Sequence, residues 1–249
     1  MIHMSFKKVW VFPIAAVFLV AAGTSRPENA NVPSTASMTS EQVVEQMQNH
    51  NQSRSEGLKH YKATRHYQVE YKGYGADLDA KMEVEVNFDA PTAKSFRIVS
   101  ESGSKLLIDK VLKRLVNTEK EAVQNQSATA LSPANYSFQM EGTESLAGRP
   151  AYVLTVAPLS DNKLLYRGKI WVDAEDFAVV KIEAEPAKNP SFWIVRTQIK
   201  HTYTKTDGFW LPEQNRSESK VRIGGTAVLT IDYGTYQIVP ENAHPLNGN

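Results

Sequence analysis

The chain has 249 residues, with 28 Lys and Arg against 27 Asp and Glu, and it contains no cysteine. The balanced charge argues against a dedicated nucleic-acid binder, which gathers a basic excess into a patch. The lack of thiols excludes a disulfide framework, so an exported form relies on its core alone, which this length can supply.

Lys7 and Lys8 precede an apolar run from Val9 to Val20, broken at Pro13, and small residues follow at Ala21, Ala22 and Gly23. This order predicts a cleaved secretory signal peptide over residues 1–23. The run is short of the roughly 20 apolar residues of a membrane span. The mature protein is expected in the periplasm, without a lipid anchor of its own because such an anchor needs a cysteine. Residues 24–38 are rich in Ser, Thr, Pro, Asn and Ala and predict a flexible leader. Residues 241–249 predict a disordered tail, leaving 39–240 as one folded domain.

Thr39-Ser40-Glu41-Gln42 has the form of a capping box and predicts a helix that ends near Gly57, with Val43, Met47, Arg54 and Leu58 at helical spacing. From Arg65 the period becomes two. Tyr67, Val69 and Tyr71, then Met82, Val84, Val86 and Phe88, predict a hairpin with one apolar face, and a third strand resumes at Phe96 to Val99. Ile108, Val111, Leu112, Leu115 and Val116 form the stripe of an amphipathic helix over about 104–123, followed by a polar loop from Asn125 to Pro133. Strands are then expected at 135–141, 150–157, 165–173, 177–185, 192–205, 209–212, 215–223, 226–233 and 235–239, separated by short turns. Such spacing predicts an antiparallel meander in which sequential neighbours pair.

A sheet of about a dozen strands curls or closes. Two helical stripes are too little to fill its concavity, which predicts an apolar cavity of the kind that large barrels use for ligands. The residues expected to line it are Val84, Val86, Phe88, Phe96, Ile98 and Leu154 on strands and Leu112 and Leu115 on the second helix. Trp171, Phe192, Trp193 and Trp210 are added as an aromatic wall, although core packing explains the tryptophans equally well.

Nothing in the sequence points to catalysis. No G-x-S-x-G elbow is present, and pairs such as Glu83/Glu85 and Glu183/Glu185 are the polar half of strand alternation. His50, His60 and His66 lack metal-ligand spacing. Gly224-Gly225 has no following helix and reads as a hairpin turn. No cofactor, metal or nucleic acid is expected.

Gly168-Lys169-Ile170-Trp171-Val172-Asp173, then Val180-Lys181-Ile182-Glu183, a Thr-rich strand over Thr197 to Thr204, and Gly208-Phe209-Trp210-Leu211-Pro212 together resemble the outer-membrane lipoprotein-sorting proteins. These are LolA-like, with LolB and the RseB sensor domain as relatives. The resemblance covers Tyr136 to Ile238 by motif order and the first hairpins by pattern. It implies a mainly β (α+β) fold, a single curved antiparallel sheet forming an unclosed β-barrel lidded by two or so helices, whose concave face holds acyl chains. The helix from Ile108 to Val116 departs from the family, and no residue here matches a carrier's lid arginine. The expected function is a monomeric, non-enzymatic periplasmic carrier that shields acyl chains of lipoprotein or lipid. The alternative is an RseB-like module that docks a membrane-anchored partner. A third class, a hydrolase, requires convergent polar groups in the cavity.

Overall fold

The computed structural model describes residues 38–239, apart from positions 74, 91, 92, 125, 163, 190 and 223. The expected signal peptide, the leader up to residue 37 and the tail lie outside the described residues.

The first helix, α1 (Ser40–Gly57), starts with the reciprocal capping box read from the sequence: Thr39 Oγ1 accepts from the Gln42 backbone N–H, and the Gln42 side chain accepts from the Thr39 N–H. Three strands follow, β1 (His60–Gly73), β2 (Ala76–Asp89) and β3 (Ala93–Gly103). The second helical region is wound in pieces: α2 (Lys105–Leu107), a π-helical turn (Ile108–Leu112) and α3 (Lys113–Gln124). The stretch expected as a polar loop contains a further short helix, α4 (Gln126–Thr129). The rest is β4 (Tyr136–Leu146), β5 (Arg149–Pro158), β6 (Tyr166–Asp173), β7 (Val179–Pro186), β8 (Ile194–Thr206), β9 (Phe209–Val221), β10 (Thr226–Asp232) and β11 (Tyr236–Val239).

All eleven strands form one antiparallel sheet in the order β3-β2-β1-β10-β9-β8-β7-β6-β5-β4, with β11 beside β1. The sheet does not close: β3 and β4 are its two edges. This is the unclosed half-barrel expected from the motifs, with one correction to its topology. The meander breaks between β3 and β4, because β1 pairs with β10 and the helices α2 to α4 carry the chain from one edge to the other. A single β9 also replaces the two strands expected at 209–212 and 215–223. Pro212 does not end it, since it sits at a register shift opposite Tyr203, where the ladder is already irregular. Its carbonyl accepts from Tyr236 Oη at 2.9 Å.

Further register shifts fall at Glu83/Val84, Met140/Gly142 and Trp171/Val172. Bulges add local twist and bend, which is how a sheet this wide curls over its helices. β10 and β11 lie end to end along β1, split at Gly234 (φ +59), where a Cβ would meet the Thr64 carbonyl oxygen at 2.3 Å.

Candidate functional site

Strand alternation places the apolar residues of the inner face in two lobes, each under a helix. One lobe joins Tyr67, Val69, Met82, Val84, Leu229 and Ile231 to Ile108, Leu112 and Leu115 of the second helical region. The other joins Tyr136, Leu154, Val156, Ile170 and Ile182 to Val43, Val44 and Met47 of α1. α1 is tied to the sheet by Arg54, which donates from Nη1 to the Asp176 carbonyl at 2.6 Å and from Nη2 to the Phe177 carbonyl at 3.1 Å.

Between the lobes run β8 and β9, and their inner face is largely polar around the apolar Ile199. Thr197, His201, Asn215 and Ser217 are all buried there. The Thr197 and Ser219 hydroxyls bond each other at 2.8 Å. Register shows how this seam interrupts an apolar row. Met82 faces Tyr67, Tyr67 faces Ile231, Ile231 faces Asn215, Asn215 faces His201, His201 faces Ile182, and Ile182 faces Ile170. The His201 ring is stacked between Tyr203 (centroids 4.5 Å apart) and Tyr233 (5.7 Å).

The Arg65 guanidinium continues this stack, 4.6 Å from the centre of the other aromatic neighbour of His201, Tyr233. Arg65 is 1% exposed and donates from Nη1 to Glu119 Oε2 at 2.6 Å, while Lys94 Nζ donates to Glu119 Oε1, also at 2.6 Å. Glu119 is carried by α3 at the continuation of its apolar stripe, so one buried ion pair ties that helix to β1. Burial pushes the Glu119 carboxyl up, but the Arg65 and Lys94 charges and their hydrogen bonds overrule it and bring it to about 2. Burial, with the Arg65 charge acting in the same direction, pushes His201 down to about 3, so its ring is neutral at physiological pH. Burial also raises the Tyr67 hydroxyl to about 12, against the opposing pull of Arg65.

Several of these groups lack partners among the described residues: Arg65 Nε, the Tyr67 hydroxyl, both ring nitrogens of His201 and both side-chain polar atoms of Asn215. A buried polar atom without a hydrogen bond is costly, and these lie in one band of the inner face. Convergent polar groups are what the hydrolase expectation asked for. Among the described residues, neither ring nitrogen of His201 makes a hydrogen bond to a carboxylate or hydroxyl.

The residues expected to line a cavity separate into different environments. Val84, Val86, Leu112 and Leu115 are buried in the first lobe, with Phe88 and Phe96 packed against it, and Leu154 is buried in the second. Trp171 lies on the other side of the sheet in a third cluster with Ala151, Val153 and Val180, against which Trp210 packs. Ile98 is exposed on edge strand β3, and Phe192 is 70% exposed beside half-buried Trp193. A cavity of about 270 Å³ adjoins the third cluster, lined in part by Ala151, Val180, Tyr203 and Trp210. A charged groove of about 570 Å³ follows β6 to β9, lined by Arg167, Glu183, Glu185, Lys200, Arg216 and Glu218 among others. Among the described residues no three His, Asp or Glu side chains are placed to hold a metal ion. Nor is any described helix long and apolar enough to cross a membrane.

The acidic turn of the G-K-I-W-V-D motif has a structural role. Asp173, 1% exposed, accepts from Arg149 Nε and Nη2 at 2.6 and 2.9 Å and from the backbone N–H groups of Glu175 and Asp176 at 3.0 and 2.8 Å. Burial raises its carboxyl, but these bonds hold it below the usual value. Asp176 in turn accepts from Trp210 Nε1 at 2.8 Å and Lys205 Nζ at 2.7 Å. Asp173→Ala is expected to destabilise the fold by about 3 kcal/mol, read as a lower urea midpoint with an unchanged slope. A change below about 0.5 kcal/mol is the surface-substitution result and contradicts this role.

A family model described as an uncharacterized protein matches residues 120–244, half of the chain. No curated protein matches the sequence. Among solved structures, the chain is similar to a DUF1329 family protein from Desulfovibrio piger, at 12% identity and a TM-score of 0.44, over 81% of this chain and 94% of that one. It is also similar to a putative outer membrane lipoprotein-sorting protein domain from Vibrio parahaemolyticus (13% identity, TM-score 0.41, 84% and 96% covered). A LolA superfamily protein from Nitrosomonas europaea is a third such structure (11% identity, TM-score 0.37, 82% and 94% covered).

Proposed function

The chain belongs to the family of uncharacterized proteins whose model spans residues 120–244, and we propose that it is an exported, periplasmic binding protein that shelters acyl chains of a lipid or lipoprotein between its curved sheet and its helices. The observation that carries this reading is the way the inner face is covered. Each apolar lobe lies under a helix, and the polar ties of those helices to the sheet include Arg54, the Arg65–Glu119–Lys94 cluster and the ion pair of Lys113 on α3 with Glu101 on β3 at 3.1 Å. A helix held to an apolar face mainly by side-chain packing can lift without unravelling the sheet, whose strands follow one another without a break from β3 to β4. A lifted helix leaves apolar surface exposed, and hydrocarbon is the guest that such surface takes up.

The driving force is transfer of hydrocarbon out of water, about 0.8 kcal/mol per buried methylene. One acyl chain alone binds membranes only marginally and reversibly. A carrier that must also release its cargo works in this range, taking one or a few chains and exchanging them for its own helix contacts.

Native mass spectrometry of protein gently purified from a membrane-containing extract tests the reading. Adducts of lipid mass that disappear on denaturation are expected. Protein that is uniformly free of lipid under those conditions counts against it.

A second reading, a module that docks a membrane-anchored partner, is favoured by edge strand β3. It pairs only with β2 and exposes Ile98 and Val99, at 41% and 44%, and an open apolar edge is a template for an added strand. A stable complex with a membrane-anchored protein, with no lipid adduct, is its expected signature.

A further inference from the structure

We infer that the polar seam on β8, β9 and β1 is a head-group subsite, which takes the oxygen acceptor at the end of a hydrocarbon chain: a carboxylate, or the carbonyl of an ester. The inference rests on the acyl-chain reading above and adds to it which end of the guest is recognised, and where.

Four side chains carry it. Arg65, Tyr67, His201 and Asn215 are each at most 2% exposed, and each has at least one polar atom without a partner. They lie on one face of the sheet. His201 and Asn215 are cross-strand neighbours, and Tyr67 is separated from Asn215 by the single strand β10, a span of about 10 Å at ordinary strand spacing. Apolar residues continue the same row on both sides, so the seam lies between two hydrocarbon-compatible lobes. A core built only for stability would place apolar residues here, because unpaired buried polar atoms lower stability without specifying anything else. Groups kept in this condition point to a function.

The type of head follows from the donors. Arg65 Nε–H, the Tyr67 hydroxyl, one N–H of a neutral His201 and the Asn215 amide supply more hydrogens than there are acceptor atoms among them, even with Arg65 acting on the Tyr67 oxygen. The neighbouring charges are two cations, Arg65 and Lys94, against one anion, Glu119. A head that accepts hydrogen bonds and tolerates positive potential fits this set, whereas a cationic or purely hydrocarbon end does not. The side chains are shielded in this conformation, so entry of the head coincides with lifting of the helix that carries Glu119.

The test uses displacement of N-phenyl-1-naphthylamine, an apolar fluorescent reporter, by three competitors below their micelle thresholds: palmitate, methyl palmitate and hexadecyltrimethylammonium. The wild-type protein is expected to bind palmitate at least tenfold more tightly than the cation of equal chain length. Methyl palmitate competing as well as palmitate assigns an ester-borne carbonyl, and palmitate alone assigns the free acid. Both outcomes support the subsite. In His201→Phe, which keeps a ring between Tyr203 and Tyr233, and separately in Asn215→Leu, the preference is expected to fall towards one while reporter binding is retained. Thermal melting should show both variants at least as stable as wild type, since each removes unpartnered polar atoms. Wild-type protein that binds the reporter without discriminating acid from cation overturns the subsite and leaves the apolar reading standing. Unchanged preference in both folded variants does the same. Wild-type protein that binds neither the reporter nor any competitor overturns both.

Discussion

Glu119→Ala is expected to cost the fold about 3–5 kcal/mol, the range for removing one partner of a buried ion pair. The loss goes beyond a contact. Arg65, 1% exposed, would remain charged with no anion beside it, since burial leaves it little water. Lys94, 14% exposed at its side chain, can turn to solvent; Arg65 cannot. Replacing both partners with apolar residues of similar volume, as in Arg65→Met with Glu119→Leu, is expected to recover most of the loss. A double variant as unstable as the single one contradicts this account of the pair.

The same groups set the response to acid. Glu119 titrates near 2 in the fold against an ordinary 4.5. A depressed carboxyl contributes stability that is present above 4.5 and lost as pH falls towards 2. His201 has the same sign by another route. Its folded value of about 3 lies below the ordinary 6.5 because burial disfavours the charged ring. The unfolded chain therefore takes up that proton first, and stability declines as pH falls below 6.5. Urea midpoints at pH 7, 5.5 and 4 should fall in that order, and His201→Phe should flatten the step between 7 and 5.5. A wild-type midpoint constant from pH 7 to 4 would sink both assignments. If the Arg65–Glu119 pair holds the helix over the inner face, reporter uptake should also rise as pH drops below 4.5.

Much of the fold was legible because it is local. The Thr39 capping box, the period-two runs of β1 and β2 and the stripe from Ile108 to Val116 each follow from residues within a turn or two of one another. The pairing of β1 with β10 was not, since it joins Tyr67 to Ile231 across most of the domain and leaves no trace in spacing. Half of the buried site carried a signal. Arg65 shares the parity of Tyr67 and Val69, and Glu119 continues the stripe of Leu112 and Leu115, so each is a charge at a position where its element is otherwise apolar. Two opposite charges on buried positions imply each other. His201 and Asn215 carried only a direction: Gln198 and Lys200 on β8 and Arg216 and Glu218 on β9 put the long polar side chains on one parity, which turns Thr197, Ile199 and His201, and Asn215 and Ser217, inward without marking any of them as a site. For Trp171 the opposite holds. It is apolar and deeply buried, but strand parity puts it on the far side from Ile170, and hydrophobicity alone does not distinguish the two faces of a sheet buried on both.

Gly168→Ala tests the sheet itself and is expected to be among the most damaging single-methyl additions in the chain. Gly168 sits within β6, paired with Val156 on one side and Ala184 on the other. Its φ of +153° lies where side chains are rarely tolerated, and an added Cβ would come within 2.2 Å of the Glu183 carbonyl oxygen and 2.6 Å of the Ala184 Cα. Both are backbone atoms of the neighbouring strand and cannot turn aside. Backbone strain of about 1–3 kcal/mol combines with overpacking of similar size, so the expected loss is about 3–5 kcal/mol, or roughly 10 °C in melting temperature for a domain of this size. Gly148→Ala is the matched control. Its φ is +82°, but no atom lies within 4 Å of the added Cβ, so only the strain of a left-handed residue applies, about 1–2 kcal/mol. The close approach of β7 at Gly168 brings Ala184 and Ile182 in beside Ile170 under α1, and a sheet forced apart there loses the floor of that lobe. The alanine variant should therefore lose reporter binding at temperatures where it is still folded, whereas Gly148→Ala retains it. Equal melting temperatures for the two variants, within about 2 °C, would show that β6 and β7 can separate freely, and that the curvature of the sheet does not depend on this glycine.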